Sequence, residues 1–351
     1  MVRATDKTRL QIDPRYLLIM LMPVGVLIVA EYLLGTFGDT SVHLEGLELK
    51  DQSQLIELSA RYRFLAAVFF FGGATVSVTA IFVFELYSRH TRRSILTTLV
   101  GILGIIVVSL SFSTFEPEWM PASFESQALL GDNLFHALMI PASLPGCEAG
   151  GSLPDGCKQQ GAYFAMEYLL DRVNILTSLS AGAVIAGMVL ALSRPAGVGL
   201  SVHPDLETEA RILKSAQEAT QRYLYCSGIL LTTGMVLMLS WMSWPGDAIL
   251  NDDMRKAHAE LVSALSIYRG VTYSILILSY YLPVSLILKV RIDAFHDAVA
   301  TAGKPELAKD VAGFDIQRIA TLDALKAIIA IVSPILTGAI GSFGGLAGFG
   351  G

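Results

Sequence analysis

The chain has 351 residues, 53% of them hydrophobic and only 16% charged, with a mean hydropathy of +0.56 and a formal net charge of −6. Soluble domains carry about a quarter charged residues, so this composition excludes an ordinary soluble globular domain. The net charge says little by itself, because in membrane proteins the distribution of Lys and Arg matters more than their sum.

The first fifteen residues, "MVRATDKTRLQIDPR", lack a small-residue cleavage site and lead into an apolar run of full span length, so they do not read as a cleavable signal. Runs almost free of charge follow at 16–34, 64–84, 95–112, 173–192, 223–244 and 271–288. Each is close to the roughly 20 residues that cross a bilayer as a helix. A seventh, 327–343, is only just long enough. The expected fold class is an all-α polytopic membrane protein with seven transmembrane helices.

Between the runs, 17 Lys and Arg fall in the N-terminal tail and the connections 85–94, 193–222 and 289–326, against 8 in 35–63, 114–172 and 245–269. The excess of positive charge marks the cytoplasmic side, which puts the N-terminus inside and the C-terminus outside. The segment 114–172 is then an outer loop with eight acids, and its "GCEAGGSLPDGC" places Cys147 and Cys157 where a disulfide is permitted. Cys226 reads as a packed small apolar residue. Arg61, Arg63, Arg172 and Arg269 precede the return runs. They read as interface anchors or as a ring of charge at an outer vestibule.

Two cytoplasmic stretches are helical in pattern. "HPDLETEARILKSAQEATQRYLYC" starts on Pro204 and runs into the fifth span without a breaker, and "KVRIDAFHDAVATAG" extends the sixth span to Gly303. A restart at Pro305 and an N-cap at Asp315 then lead to the last span. The layout expected is spans one to four over 1–194 with the outer loop 114–172, a cytoplasmic helix over 195–222, spans five and six over 223–288, anchor helices over 289–326, and a last helix with a glycine-rich tail over 327–351.

Enzyme signatures are missing: no P-loop, GxSxG, HExxH or CxxC occurs, and all six histidines lie outside the apolar runs. Haem ligation within the spans is therefore disfavoured, and no cofactor or metal is expected. Glu31 and Glu85 stand near the ends of the first two runs. Pro23 with Gly25, Gly72-Gly73 and Pro283 are candidate helix breaks, which keeps a secondary transporter built from helical hairpins as an alternative. A membrane scaffold without transport of its own is the other.

In "IVSPILTGAIGSF", Ser333, Thr337, Gly341 and Gly345 are four apart and share a helix face. Small residues at that spacing allow close helix packing. If the helix instead meets its own copies about an axis, Ser333 and Thr337 give hydroxyls to a narrow conduit. Ile329, Val332, Leu336 and Ile340 then close it by dewetting, and Gly341 opens the exit. On the cytoplasmic side Arg211, Lys214 and Arg222 on one helix, with Arg318 and Lys326 before the last span, are candidate contacts for a phosphate-bearing ligand.

Seven spans with the N-terminus inside, long cytoplasmic helices and "IVSPILTGAIGSF" in the last position resemble the architecture of insect odorant-receptor-type channels. The resemblance covers most of the chain as topology. It implies a homo-oligomer, of four subunits in that family, with a pore made by the seventh helix and gating from the cytoplasmic anchor. Acidic composition and the charge asymmetry fit a bacterial inner membrane. There, channels of this kind resemble anti-phage defence effectors gated by a nucleotide or oligonucleotide from a partner enzyme. The sequence-level expectation is thus a homo-oligomeric gated ion channel whose partners are the lipid bilayer, its own copies and such a ligand.

Overall fold

The computed structural model describes residues 9–37, 50, 53–114, 162–195, 206–244, 246–303 and 322–342. They form seven helices: α1 (Leu17–Phe37), α2 (Ser53–Arg89), α3 (Arg92–Thr114), α4 (Ala162–Leu190), α5 (Leu206–Ser243), α6 (Asp252–Thr301) and α7 (Leu322–Ser342). Two-residue strands β1 (Leu10–Gln11) and β2 (Arg194–Pro195) pair antiparallel. Cys147 and Cys157, Arg318, the restart at Pro305 and the glycine tail lie outside the described residues.

Five helical stretches are long and apolar enough to cross a membrane, in α1, α2, α4, α5 and α6: Pro14–Leu34, Leu58–Arg89, Arg172–Leu190, Leu206–Ala248 and Asp252–Thr301. The chain is a multi-pass α-helical membrane protein by this measure. Helices α3 and α7 are not among the five, and α7 has a shorter apolar stretch, Ile328–Ala339. The outer surface agrees, because Phe69, Phe84, Leu18 and Leu96 are all well exposed. A soluble protein does not leave so much large apolar surface uncovered.

Polar contacts tie the helix ends together. At the end formed by Arg89, the N-terminal strand crosses the α2–α3 turn: Leu10 bridges His90, the Thr91 amide donates to Leu10 O, and the Ile12 amide donates to Ser94 Oγ at 3.1 Å. Arg291 of α6 donates to Leu192 O and pairs with Glu209 at 3.3 Å, joining α4, α5 and α6. At the opposite end, Arg63 pairs with Asp247 at 2.8 Å, and Phe64 packs on Trp241 and Trp244 with ring centroids 5.1 and 5.3 Å away.

The core runs through α4, α5 and α6, where Met188, Val189, Leu213, Met235, Ile277 and Val284 are fully enclosed. The two long helices form as the sequence reading expects. Helix α5 runs without a break from Leu206 through the fifth apolar run, opening with Glu207 and Glu209, which favour a helix N-terminus. Helix α6 is N-capped by Asn251, whose side chain accepts from the Asp253 and Met254 amides. It ends at Thr301, with Gly303 at φ 67 just beyond, a left-handed conformation that glycine adopts freely. Cys226 is buried, as expected for a packed residue.

Candidate functional site

Helix α7 packs on α6 and α5, its two principal neighbours. The approach is close enough to need glycine at three places. A Cβ on Gly338 would stand 2.6 Å from Ser266 O of α6, one on Gly270 would stand 2.7 Å from Pro334 O of α7, and one on Gly228 would stand 3.0 Å from Ala330 O. These are backbone atoms and cannot rotate away. Hydrogen bonds reinforce the seam: Ser274 donates to Ile331 O at 2.7 Å, and Thr232 donates to Ser333 Oγ at 3.0 Å. Pro334 leaves the Ala330 carbonyl without its helical donor, and the Ser333 hydroxyl supplies one at 3.0 Å.

The faces of α7 therefore divide, and the residues expected to line a conduit lie beside the seam or away from it. Ala330, Pro334 and Gly338 are buried in the seam. Ser333 and Thr337 are half-buried, and their hydroxyls are engaged within the subunit, Thr337 donating to Ser333 O. Ile329 and Leu336 are exposed, with Val332 half-buried between them. The side chains of Ile340, Gly341 and Lys326 lie outside the described residues.

Two of the arginines expected at the outer face, Arg63 and Arg269, are in ion pairs. Arg269 is 5% exposed and bonds both carboxylate oxygens of Glu31, which is 3% exposed; the Nη2–Oε2 contact is 3.1 Å. Tyr268 beside it donates to Ala30 O at 2.6 Å. Arg269 is thus a corrected assignment: it is neither a snorkelling anchor nor a free vestibule charge. Its guanidinium is the counter-ion of the one acid within the first span, where an unpaired charge is expensive.

At the Arg89 end a cavity of about 610 Å³ opens between α2, α4 and α5. Its lining includes Glu85, Arg89, His90, Ser193, Arg211, Ser215 and Tyr223. Gly187 of α4 makes room for the Tyr223 ring, which a Cβ there would meet at 2.2 Å, and the Tyr223 hydroxyl donates to Glu85 Oε2 at 2.7 Å. Glu85 Oε1 accepts from Arg222, and Arg89 lies 3.6 Å from the same oxygen while donating to Ser215 Oγ at 3.2 Å.

Of the basic residues expected to meet a phosphate, Arg211 lines this cavity, Arg222 is committed to Glu85, and Lys214 is exposed without lining it. The sequence reading missed His90 and Ser193. Both lie in short connections that no motif distinguishes, and only the fold brings them beside Arg211. Burial holds the His90 imidazole below its usual range, partly offset by Glu85. Among the described residues no group of His, Cys, Asp and Glu could hold a metal ion.

Against known protein families, curated proteins and solved structures, the chain has no match.

Proposed function

We infer that the chain crosses the membrane seven times with its Arg89 end in the cytoplasm, and that its copies gather about α7 to form a gated ion pathway. One observation carries this reading. Helix α7 is fixed backbone-to-backbone on one side by α5 and α6, yet shows Ile329, Val332 and Leu336 on the other. That spacing of three and four is the seam of associating helices. The apolar run 327–343 is also short for a helix facing lipid along its whole length. A helix shielded on one flank and facing copies or water on the other need not match the bilayer.

The clustering of Arg89, Arg92, Arg93, Arg194 and Arg211 at one end supports the orientation. With the Ser333 and Thr337 hydroxyls turned inward, constriction falls to Ile329, Val332 and Leu336, which act by dewetting. The test is recording from purified protein in planar bilayers, beside its oligomeric state in nanodiscs. Unitary currents are expected, with conductance or closed-state leak altered several-fold in Leu336→Ala. A strict monomer, conductance indifferent to Leu336, or saturating flux without unitary events overturns the channel. The last of these outcomes would establish a carrier.

A further inference from the structure

The cavity at the Arg89 end holds more unmet polar capacity than packing alone requires. His90 is 6% exposed and Ser193 is 2% exposed; Ser193 Oγ has no hydrogen-bond partner, and the His90 ring has the backbone of Glu85 and Leu190 beside it. A buried hydroxyl is ordinarily satisfied, and both residues line one cavity: His90 from the α2–α3 turn, Ser193 from the chain leaving α4. Arg211 stands on the third wall and makes no ion pair among the described residues, while Arg89 holds Glu85 only at 3.6 Å. Glu85, the acid in the lining, is already engaged by Arg222 and Tyr223. The remaining charge is positive. The volume, about 610 Å³, lies within the range of small-molecule sites.

We propose that this cavity binds a phosphate-bearing molecule, with Arg211 and Arg89 on the phosphate and Ser193 and His90 as hydrogen-bonding partners. The guanidinium forks suit phosphate oxygens, singly or in pairs. The Ser193 hydroxyl donates to a further oxygen. A neutral imidazole offers one donor and one acceptor, so His90 can also take a hydroxyl or amide of the ligand's body. The apolar share of the lining, Leu10, Leu86, Leu190 and Ile212, accommodates the rest. Leu10 belongs to the strand that crosses the α2–α3 turn, so the N-terminal segment forms part of the wall. Soluble phosphomonoesters and anionic phospholipid headgroups share this chemistry. The site does not depend on whether α7 lines a pathway, because binding is read without flux.

The full-length protein is reconstituted in nanodiscs of phosphatidylcholine and titrated with adenosine monophosphate and with inorganic phosphate, following binding by calorimetry and the thermal midpoint. A second preparation, with phosphatidylglycerol mixed in, is analysed by native mass spectrometry for retained lipid. Expected is saturable binding of the soluble phosphates, or selective retention of phosphatidylglycerol; which preparation responds identifies the source. Either signal falls by about tenfold or more in Arg211→Glu and by about threefold or more in Ser193→Ala. The latter removes a single oxygen, so it serves even if the charge reversal does not fold. Lys214→Glu, on the same helix but off the cavity, leaves binding within twofold. No saturable signal in either preparation overturns the site. So do a signal untouched by both cavity variants and an equal loss in Lys214→Glu.

Discussion

Replacing Arg269 with alanine lowers stability by about 3–5 kcal/mol, the loss found when one member of a buried ion pair is removed. The cost comes less from the lost attraction than from Glu31, 3% exposed in the last third of α1, whose charge is left unanswered. The double variant Glu31→Ala with Arg269→Ala removes both charges and recovers at least half of the single-variant loss. Urea unfolding of detergent-solubilised protein measures all three. Additive losses in the double variant, or a single loss below about 1 kcal/mol, would show that the pair is not a coupled unit.

Gly338→Val has the second large effect, and it acts by displacement. A side chain there begins 2.6 Å from Ser266 O, and Val adds two methyl groups that no rotamer can withdraw from the backbone of α6. Overpacking of this kind costs about 1–3 kcal/mol where a structure can yield. Here α7 must lift off α6, which also breaks the Ser274–Ile331 and Thr232–Ser333 hydrogen bonds. The expected result is a melting midpoint lowered by several degrees in detergent, together with loss of the oligomer if α7 forms the seam between copies. Gly73→Ala is the control. A Cβ on Gly73 meets nothing within 4 Å, so this change to a better helix former is neutral or slightly stabilising. A Gly338→Val protein that melts like wild type refutes the close contact.

Much of the fold is legible in the sequence because charge-free runs of span length are a strong signal, and because α5 and α6 carry their own start and stop residues. The uninterrupted entry of α5 into its apolar run and the end of α6 beside Gly303 both follow from local pattern. The site is less legible, for a physical reason. An ion pair such as Glu31 with Arg269 joins residues 238 positions apart, and neither residue's neighbours reveal the other. The small residues read as one α7 face, Ser333 and Thr337, are only half-buried, and the close packing falls on the neighbouring Ala330, Pro334 and Gly338. Their partners, Gly228 and Gly270, sit in helices whose own patterns do not single them out. Arg222 and Arg211 look alike in a helical projection, yet one is neutralised by Glu85 and the other faces the cavity. Periodicity distinguishes faces of a helix and cannot tell which neighbour occupies them.

Helix α6 is 50 residues long, an unbroken shaft of about 75 Å. Pro283 deletes one of its backbone bonds, which makes that position the shaft's natural flexure. One arm reaches about 27 Å toward the Arg89 end and the other about 47 Å the opposite way. The grip on α7, at Ser266, Gly270 and Ser274, lies on the longer arm. A bend of about 5° at the proline moves that grip by about 2 Å and the far tip by about 4 Å. Leverage of this kind mechanically links α7 to the segment that carries Arg291 and its clasp on α4 and α5.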